Sequence, residues 1–432
     1  MLDIRFIREN AGRVQEASEQ KGYKVDIAAL LRVDDSRREL LNTVESLRQK
    51  RNETAGSMKG AKPSPEHIEA GKKIKLELAG HEETLRTYDA EYTALLKKIP
   101  NMPMDDVPIG ASEDENVVVR TVGTIPKFNF DVKNHWQIAE TKGWIDKERA
   151  AKVAGSRFAY IKGDLALLWF GLVNYAMSVL ANEAAIAEII KKAGLEGLST
   201  KPFTPVLPPL MIRTEPYDAM DRLEPRDERY KIEGEELWLQ GSAEHVLGSM
   251  HMNEILPEAE LPIRYAGYAT SFRREAGTYG KDMEGIFRMH QFDKCEMESL
   301  ATAETALKEH LLMVAIQEHF MQALGLPYRV LQKCTADIGK PNARGVDIDV
   351  WLPGQDKYRE THTADYMTDY QARRLQTRVR RESGEVELVN TNDATAFSQR
   401  PLIAIIENYQ DADGNVVVPE VLRPYLGGRA LL

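Results

Sequence analysis

The sequence predicts an α+β protein in which a mainly antiparallel sheet follows an N-terminal antiparallel coiled-coil arm. Three observations carry that expectation. Two long heptad runs fill the first hundred residues, and a Gly/Pro/Ser-rich break separates them. From about residue 105 the texture changes to short strands, clustered helices and Pro/Gly breaks. A chain of 432 residues exceeds one compact core, so the expected division is 1–104 for the helical part and 105–432 for the rest.

The arm comes first in the chain. Leu30, Val33, Arg37, Leu40, Val44, Leu47, Arg51, Thr54 and Met58 step alternately by three and four, the seam of a coiled coil. Ile74, Leu78, His81, Leu85, Tyr88, Tyr92, Leu95 and Ile99 repeat the pattern. Between them GSMKGAKPSPEH is too rich in Gly, Pro and Ser for a helix to continue, and Pro100 and Pro103 end the second run. Two helices of about 30 residues give a hairpin about 45 Å long at 1.5 Å per residue. Its distal half is basic: Lys50, Arg51, Lys59, Lys62, Lys72, Lys73 and Lys75 outnumber Glu53, Glu66 and Glu69. In a chain of net charge −10, that local reversal suits either a polyanion contact or a solvated lysine-rich arm.

Next, LALLWFGLVNYAMSVL (165–180) is interrupted by Asn174 and Ser178 and is too short to span a bilayer. It predicts a buried helix with Asp164 as N-cap. Strands are expected in PIRYAGYATSF, GIFRMHQFDKCEM, GVDIDVWLP and KYRETH, and helices over 301–323 and 401–409. With 43% hydrophobic and 29% charged residues the chain is not globally disordered. Cys295 and Cys334 are the only cysteines. They exclude a disulfide scaffold or a Cys-based zinc site and suit a reducing compartment. MLDIRFIREN carries early charges and no apolar h-region, so a cytoplasmic protein with no membrane partner is expected. No GxxxxGK[ST], GxGxxG or HExxH occurs, which disfavours P-loop, Rossmann and zinc-hydrolase chemistry.

The chemistry-bearing stretch is SFRREAGTYGKDMEGIFRMHQFDKCEME, 271–298. Strand alternation puts Arg273 with Glu275, and Arg288, His290, Phe292 and Glu296 together on the return. Two readings stand. A Gly-rich hairpin could close over a ligand, its arginines on a phosphate or carboxylate and its carboxylates on an amine. The other reading, which spacing alone favours, is an exposed hairpin with charged cross-strand pairs. Glu360 with Thr361 and Thr363 offers hard oxygens to Mg²⁺, or is a strand-end Glu beside a Thr cap. Ser242 and Glu244 precede a helical segment, with Ser242 a candidate N-cap. Arg400 opposes the dipole of the helix it begins, which points to an anion. The residues by themselves describe a site for an anion and an amine.

Taken in order, four segments resemble the seryl-tRNA synthetases of bacterial type, which are class II aminoacyl-tRNA synthetases. TPVLPPLM, with Pro208, is similar to motif 1, and FRREAGTYGKDMEGIFRMHQFDKCEME to motif 2. YRETHTADYMTDYQARR is similar to the ATP-site strand and DATAFSQRPLIAIIENYQ to motif 3. The resemblance runs from MLDIRFIREN to PEVLRPYL. It implies a class II antiparallel sheet flanked by helices, a homodimer through the motif 1 side, and an arm that reaches the long variable arm of tRNA(Ser). Serine would attack the α-phosphorus of ATP, releasing pyrophosphate, and the tRNA 3′-terminal ribose would then take the seryl group. Family habit extends this to tRNA(Sec).

By resemblance, Arg273, Glu360 and Arg400 form the catalytic set. Arg273 would hold the α-phosphate and the serine carboxylate. Arg274, Glu275 and the backbone near Met289 would meet ATP at its base, and Phe292 and Arg400 would sandwich that base. Glu360, Thr361, His362 and Thr363 form the ATP-site strand, with Glu360 and Thr363 on Mg²⁺. L-serine would be met by Ser242, Ala243, Glu244, Arg273, Glu296 and Thr395. Lys50, Arg51, Lys59, Lys62, Lys72, Lys73 and Lys75 would meet the tRNA, and His290 becomes structural. Three departures matter. Ser242 stands where relatives often have Thr, Gln399 where many have a small residue, and Asn392 to Arg400 is one residue shorter. Counting from either end puts Ala394 or Thr395 at the serine hydroxyl. Thr395 is preferred, because rejecting alanine requires a group that pairs with the hydroxyl. Two other readings are weaker. A paralogue that loads a carrier protein would lack the heptads of 28–99, and a non-catalytic RNA-binding coiled-coil protein would have lost Arg273, Glu360 or Arg400.

Overall fold

The computed structural model describes residues 1–57, 64–275 and 285–432, which form two units, Met1–Met102 and Pro103–Leu432. In the first, short helices Ile4–Glu9 and Ala11–Gln20 precede the long pair Ile27–Ser57 and Pro65–Leu96. Ser64 caps the second long helix by accepting from the His67 amide, with Pro65 at the first helical position. Leu30, Val44, Leu47, Leu78 and Ile99 of the seam are buried, Arg51 is exposed, and the other described seam positions are half-buried. Arg37–Asp89 at 2.5 Å and Arg48–Glu82 at 2.7 Å cross from one helix to the other. Such exposed pairs each contribute little, so the apolar seam sets the register. The second helix stops at Leu96 and leaves Ile99 buried beyond it, short of the expected end at the prolines. Met58, Lys59 and Lys62 lie outside the described residues.

The second unit is built on an eight-stranded sheet. Its order is Val117–Val122, Tyr328–Gln332, Arg344–Leu352, Lys357–Thr368, Asn390–Ser398, Gln291–Ala301, Ile263–Phe272 and Thr204–Val206. All neighbours are antiparallel except the last, where Thr204–Val206 joins the edge in parallel. Helices Asp164–Leu180, Ala303–Leu324 and Arg400–Asn408 contribute Leu168, Phe320 and Ile403 to one apolar core with the sheet. Among the described residues no single helix is long and apolar enough to cross a membrane. The 164–180 stretch breaks by 79° into Glu183–Lys192.

Three local expectations need correction. Asp164 is not the N-cap: Gly163, at φ 59°, holds that position, and Asp164 sits in the first turn, paired with Arg429 at 2.7 Å. A left-handed residue there favours glycine. Ser242 caps no helix, because the short Glu244–Leu247 helix begins after Ala243 with no side-chain cap. The hairpin strands are also shorter than alternation implied. Ile263–Phe272 ends before Arg273, Gln291–Ala301 begins after His290, and Glu275 is left-handed at φ 48°.

One irregularity of the sheet positions the site. Pairing between Lys357–Thr368 and Asn390–Ser398 stops at Ala364↔Ala394. The strands splay beyond it, and the freed carbonyls of Thr363 and Thr395 both accept from Gln317 Nε2 of the 303–324 helix, at 2.7 and 2.9 Å. An unpaired buried carbonyl costs about 1–3 kcal/mol, so this amide stabilises a gap in the middle of the sheet.

Candidate functional site

A cavity of about 120 Å³ occupies that splay. Arg273 and Glu275 line one side and Phe292 and Lys294 the floor. Glu360, Thr361 and Thr363 come from one splayed strand, and Thr395, Ser398, Gln399 and Arg400 from the other. Residues from four distant segments converge because each follows, ends or leaves a strand of the same sheet.

Arg273 donates from Nε to the Gly241 carbonyl at 3.0 Å and lies over the Phe292 ring at 5.3 Å. Its position is therefore fixed before any ligand arrives. Glu275 is held twice: Arg288 donates to its carboxylate at 3.2 Å, and Arg157 donates to its carbonyl at 2.5 Å. The Arg157 carbonyl in turn accepts the His290 amide. Arg157 thus grips both limbs of the hairpin from 118 positions upstream. Motif reasoning missed it, and no local pattern marks it.

Glu360 and Arg400 face one another, Arg400 Nη1 reaching the Glu360 carboxylate at 3.0 Å and its carbonyl at 2.9 Å. The Glu360 side chain is still 47% exposed; against the desolvation it does undergo, Arg400 and Lys333 hold the carboxyl down to about 2. Arg400 lies over Phe287 at 4.9 Å, and Arg359 over the same ring at 3.9 Å. Phe287 was not expected in the site. Beyond this pair a polar cavity of about 280 Å³ is lined by the cations Arg288, Arg329, Lys333, Arg359 and Arg400 and by the carboxylates Glu113, Asp114, Asp337, Asp347, Asp349 and Glu360. The arginines there can meet phosphate oxygens, while the six carboxylates leave no net positive charge on the lining.

Thr363 pairs with Asp347 across the ladder. Its Oγ1 is buried beside the Asp347 carboxyl, whose charged form it helps to stabilise. That hydroxyl near the Glu360 carboxylate gives the one or two hard oxygens that Mg²⁺ takes when phosphates and water complete its shell. The donor set therefore fits, although no group of three His, Cys, Asp or Glu residues that could hold a metal alone occurs among the described residues.

The residues expected around serine cluster behind the floor. Ser242, Glu244 and Glu296 are buried. Glu296 is paired with Lys294 at 2.6 Å, and Lys294 also donates to Ser242 Oγ at 3.1 Å. Burial pushes the Glu296 carboxyl up to about 8 despite Lys294. Burial also opposes charge on Glu244, but His245, Lys294 and Arg222 overcome it and keep that carboxyl well below its usual range. Thr395 lies opposite Glu296 and lines the cavity, whereas Ala394 packs in the apolar core.

Several expected residues do not reach the cavity. Arg274 turns out onto Tyr230 at 6.0 Å. Ala243 packs against Leu247 and Ala269. His362 is buried, with Nε2 donating to the Ala396 carbonyl at 3.0 Å and Nδ1 against Thr361 Oγ1 at 2.8 Å; burial pushes it down to about 3, leaving it neutral. A bulge between Ile348 and Asp349 shifts the ladder opposite Thr361, which is why residues adjacent in ETHT have such different surroundings. His290 packs on Phe158 and donates from Nδ1 to the Arg273 carbonyl, a bracing role as expected. The described arm cations Lys50, Arg51, Lys72, Lys73 and Lys75 are all exposed.

Two family models match the chain. The seryl-tRNA synthetase N-terminal domain matches residues 1–103, and the tRNA synthetase class II core domain (G, H, P, S and T) matches residues 228–409. The serine–tRNA ligase of Deinococcus radiodurans is 39% identical, covering 100% of this chain and 99% of its own. That of Syntrophotalea carbinolica is 37% identical over 99% of both. Among solved structures, the seryl-tRNA synthetase from Pyrococcus horikoshii complexed with ATP superposes with a TM-score of 0.87 at 33% identity, covering 100% of this chain and 99% of that one. The cytoplasmic serine–tRNA ligase of Naegleria fowleri in complex with AMP gives 0.82 at 28%, covering 100% and 98%.

Proposed function

Given that the chain belongs to the seryl-tRNA synthetase family, and is an ATP-dependent ligase joining serine to tRNA, we propose which residues carry its two half-reactions. Arg273 neutralises the α-phosphate and the serine carboxylate, so that carboxylate oxygen and phosphorus meet in line. No protein nucleophile takes part; the site works by positioning and by charge placed in advance. Glu275 and the Met289 backbone receive the base, which lies between Phe292 and Arg400. The polar cavity beyond Arg400 takes the β- and γ-phosphates, with Glu360 and Thr363 as the protein oxygens on Mg²⁺, which would neutralise the phosphate charge. Serine sits at the Ser242–Glu244–Glu296 end, its hydroxyl on Thr395.

The observation that supports this reading best is the splay itself. It puts the pairs Arg273–Phe292 and Glu360–Arg400, together with Thr395, on one cavity. Serine-dependent ATP–pyrophosphate exchange tests it: exchange with another amino acid but not serine would overturn the substrate, and none at all would overturn catalysis. Thr395→Ala is expected to lower the preference for serine over alanine about 30-fold, roughly 2 kcal/mol for a lost hydroxyl partner. An unchanged ratio in the same assay removes Thr395 from recognition.

The protein works as a homodimer in the cytoplasm. Support for the dimer is the exposed apolar run Leu207, Leu210 and Met211, next to the edge strand Thr204–Val206 and Pro208. The exposed cations of the arm bind the tRNA backbone, positioning it without reading bases.

A further inference from the structure

Lys294 stands between the nucleotide cavity and the residues around serine. It is two positions from Glu296 in the Gln291–Ala301 strand, so both side chains leave the same face. Its ammonium is 2.6 Å from Glu296 Oε2 and 3.1 Å from Ser242 Oγ, and its side chain is only 9% exposed. Lys294 lines the cavity, whereas Ser242, Glu244 and Glu296 do not. A buried ammonium held by one carboxylate and one hydroxyl makes the contacts that the α-ammonium of an amino acid would make there.

We propose that Lys294 is a positioning residue for amino-acid recognition: it occupies the place of the substrate ammonium in the empty site, holds the Glu296 carboxyl and the Ser242 hydroxyl in place, and yields both to serine. This rests on the placement of serine at that end of the site. The need for such a residue follows from the groups around Glu296. Glu298 shares its strand, Glu244 faces it from the short helix, and Asp393 comes from the neighbouring strand. Gly267, its partner on the other side, brings no charge. Arg222 is engaged by Asp393 at 3.1 Å. Burial and the surrounding carboxylates favour neutral Glu296, and Lys294 is the opposing charge beside it. Its removal raises the pH at which Glu296 ionises. Because the substrate ammonium needs the ionised form, the KM for serine falls as pH rises through that midpoint.

The test is the pH profile of KM for serine and for ATP, read by ATP–pyrophosphate exchange on the full chain. Lys294→Gln is expected to raise KM for serine about 30-fold at pH 7, with KM for ATP changed less than about threefold, and the gap should narrow towards pH 9.5. Lys294→Arg, which keeps the charge, should retain the wild-type midpoint. Adding Glu296→Gln to Lys294→Gln should cost no more than Glu296→Gln alone. A wild-type midpoint in Lys294→Gln, or a parallel rise of both KM values, overturns the proposal. If Lys294→Gln does not fold, a displaced midpoint in Lys294→Arg does so instead. Failure of the serine assignment is distinct, since the wild-type chain would then show no serine-dependent exchange.

Discussion

Replacing Arg273 by alanine is expected to lower kcat/KM for serine-dependent ATP–pyrophosphate exchange about 10³-fold, whereas His290→Ala stays within about tenfold of wild type. The factor corresponds to roughly 4 kcal/mol of transition-state stabilisation, the scale for a preorganised group aimed at developing charge. Arg273 meets that description. Its Nε is committed to the Gly241 carbonyl and its plane lies on Phe292, so the remaining guanidinium donors face the cavity without reorganising. Lysine would not replace it, because a point charge on a flexible stem keeps neither the stacking nor the fork. His290, outside the cavity lining, braces only the backbone of Arg273: its ring Nδ1 donates to the Arg273 carbonyl and its own carbonyl accepts from the Arg273 amide, a bond that the alanine variant keeps. Its own amide bond to Arg157 survives the substitution to alanine. Equal losses in the two variants would mean that the geometry of the hairpin, not the charge of Arg273, limits the reaction.

How far the sequence could be read depends on the range of the forces involved. The heptad seam was legible because helical period and burial are local: Leu30, Val44, Leu47, Leu78 and Ile99 are buried positions that the spacing marked. The strands were legible for the same reason, although their ends at Phe272 and Gln291 were not, since alternation carries no mark of where pairing stops. The site residues came from matching motifs. What matching could not supply were contacts made across the chain. Gln317 reaches carbonyls 46 and 78 positions away, and Arg157 reaches Glu275 at 118. Lys294 had a local signal, since it shares the face of Phe292 and Glu296, but nothing in that alternation says that its ammonium is buried. His362 and Arg274 are the converse case. They adjoin functional positions in sequence, yet a bulge turns one into the core and the end of a strand turns the other outward.

Deleting about residues 45–80 of the arm, with a short turn in their place, is expected to leave serine-dependent exchange within about twofold of wild type and to abolish tRNA charging. The cavity residues all belong to the unit Pro103–Leu432, so on the proposed assignment exchange is expected not to need the hairpin. The cut is tolerable for packing as well. It falls between the seam positions Val44 and His81, removing Leu47 with its partner Leu78 and leaving the Arg37–Asp89 pair below. What it takes away is the concentration of exposed Lys50, Arg51, Lys72, Lys73 and Lys75. A backbone contact made by such residues releases counterions, so its strength falls steeply with salt. Lys72→Ala, Lys73→Ala and Lys75→Ala combined should therefore weaken charging at fixed salt and flatten its salt dependence by up to about three phosphate contacts, with exchange untouched. Two outcomes would contradict a separate tRNA role. If the deletion reduced exchange and charging equally, the arm would be serving the stability of the whole chain. If the lysine variant charged tRNA normally at every salt concentration, the basic face would be what its charge alone equally allowed, a solvated surface, and the contact would have to be sought elsewhere along the hairpin.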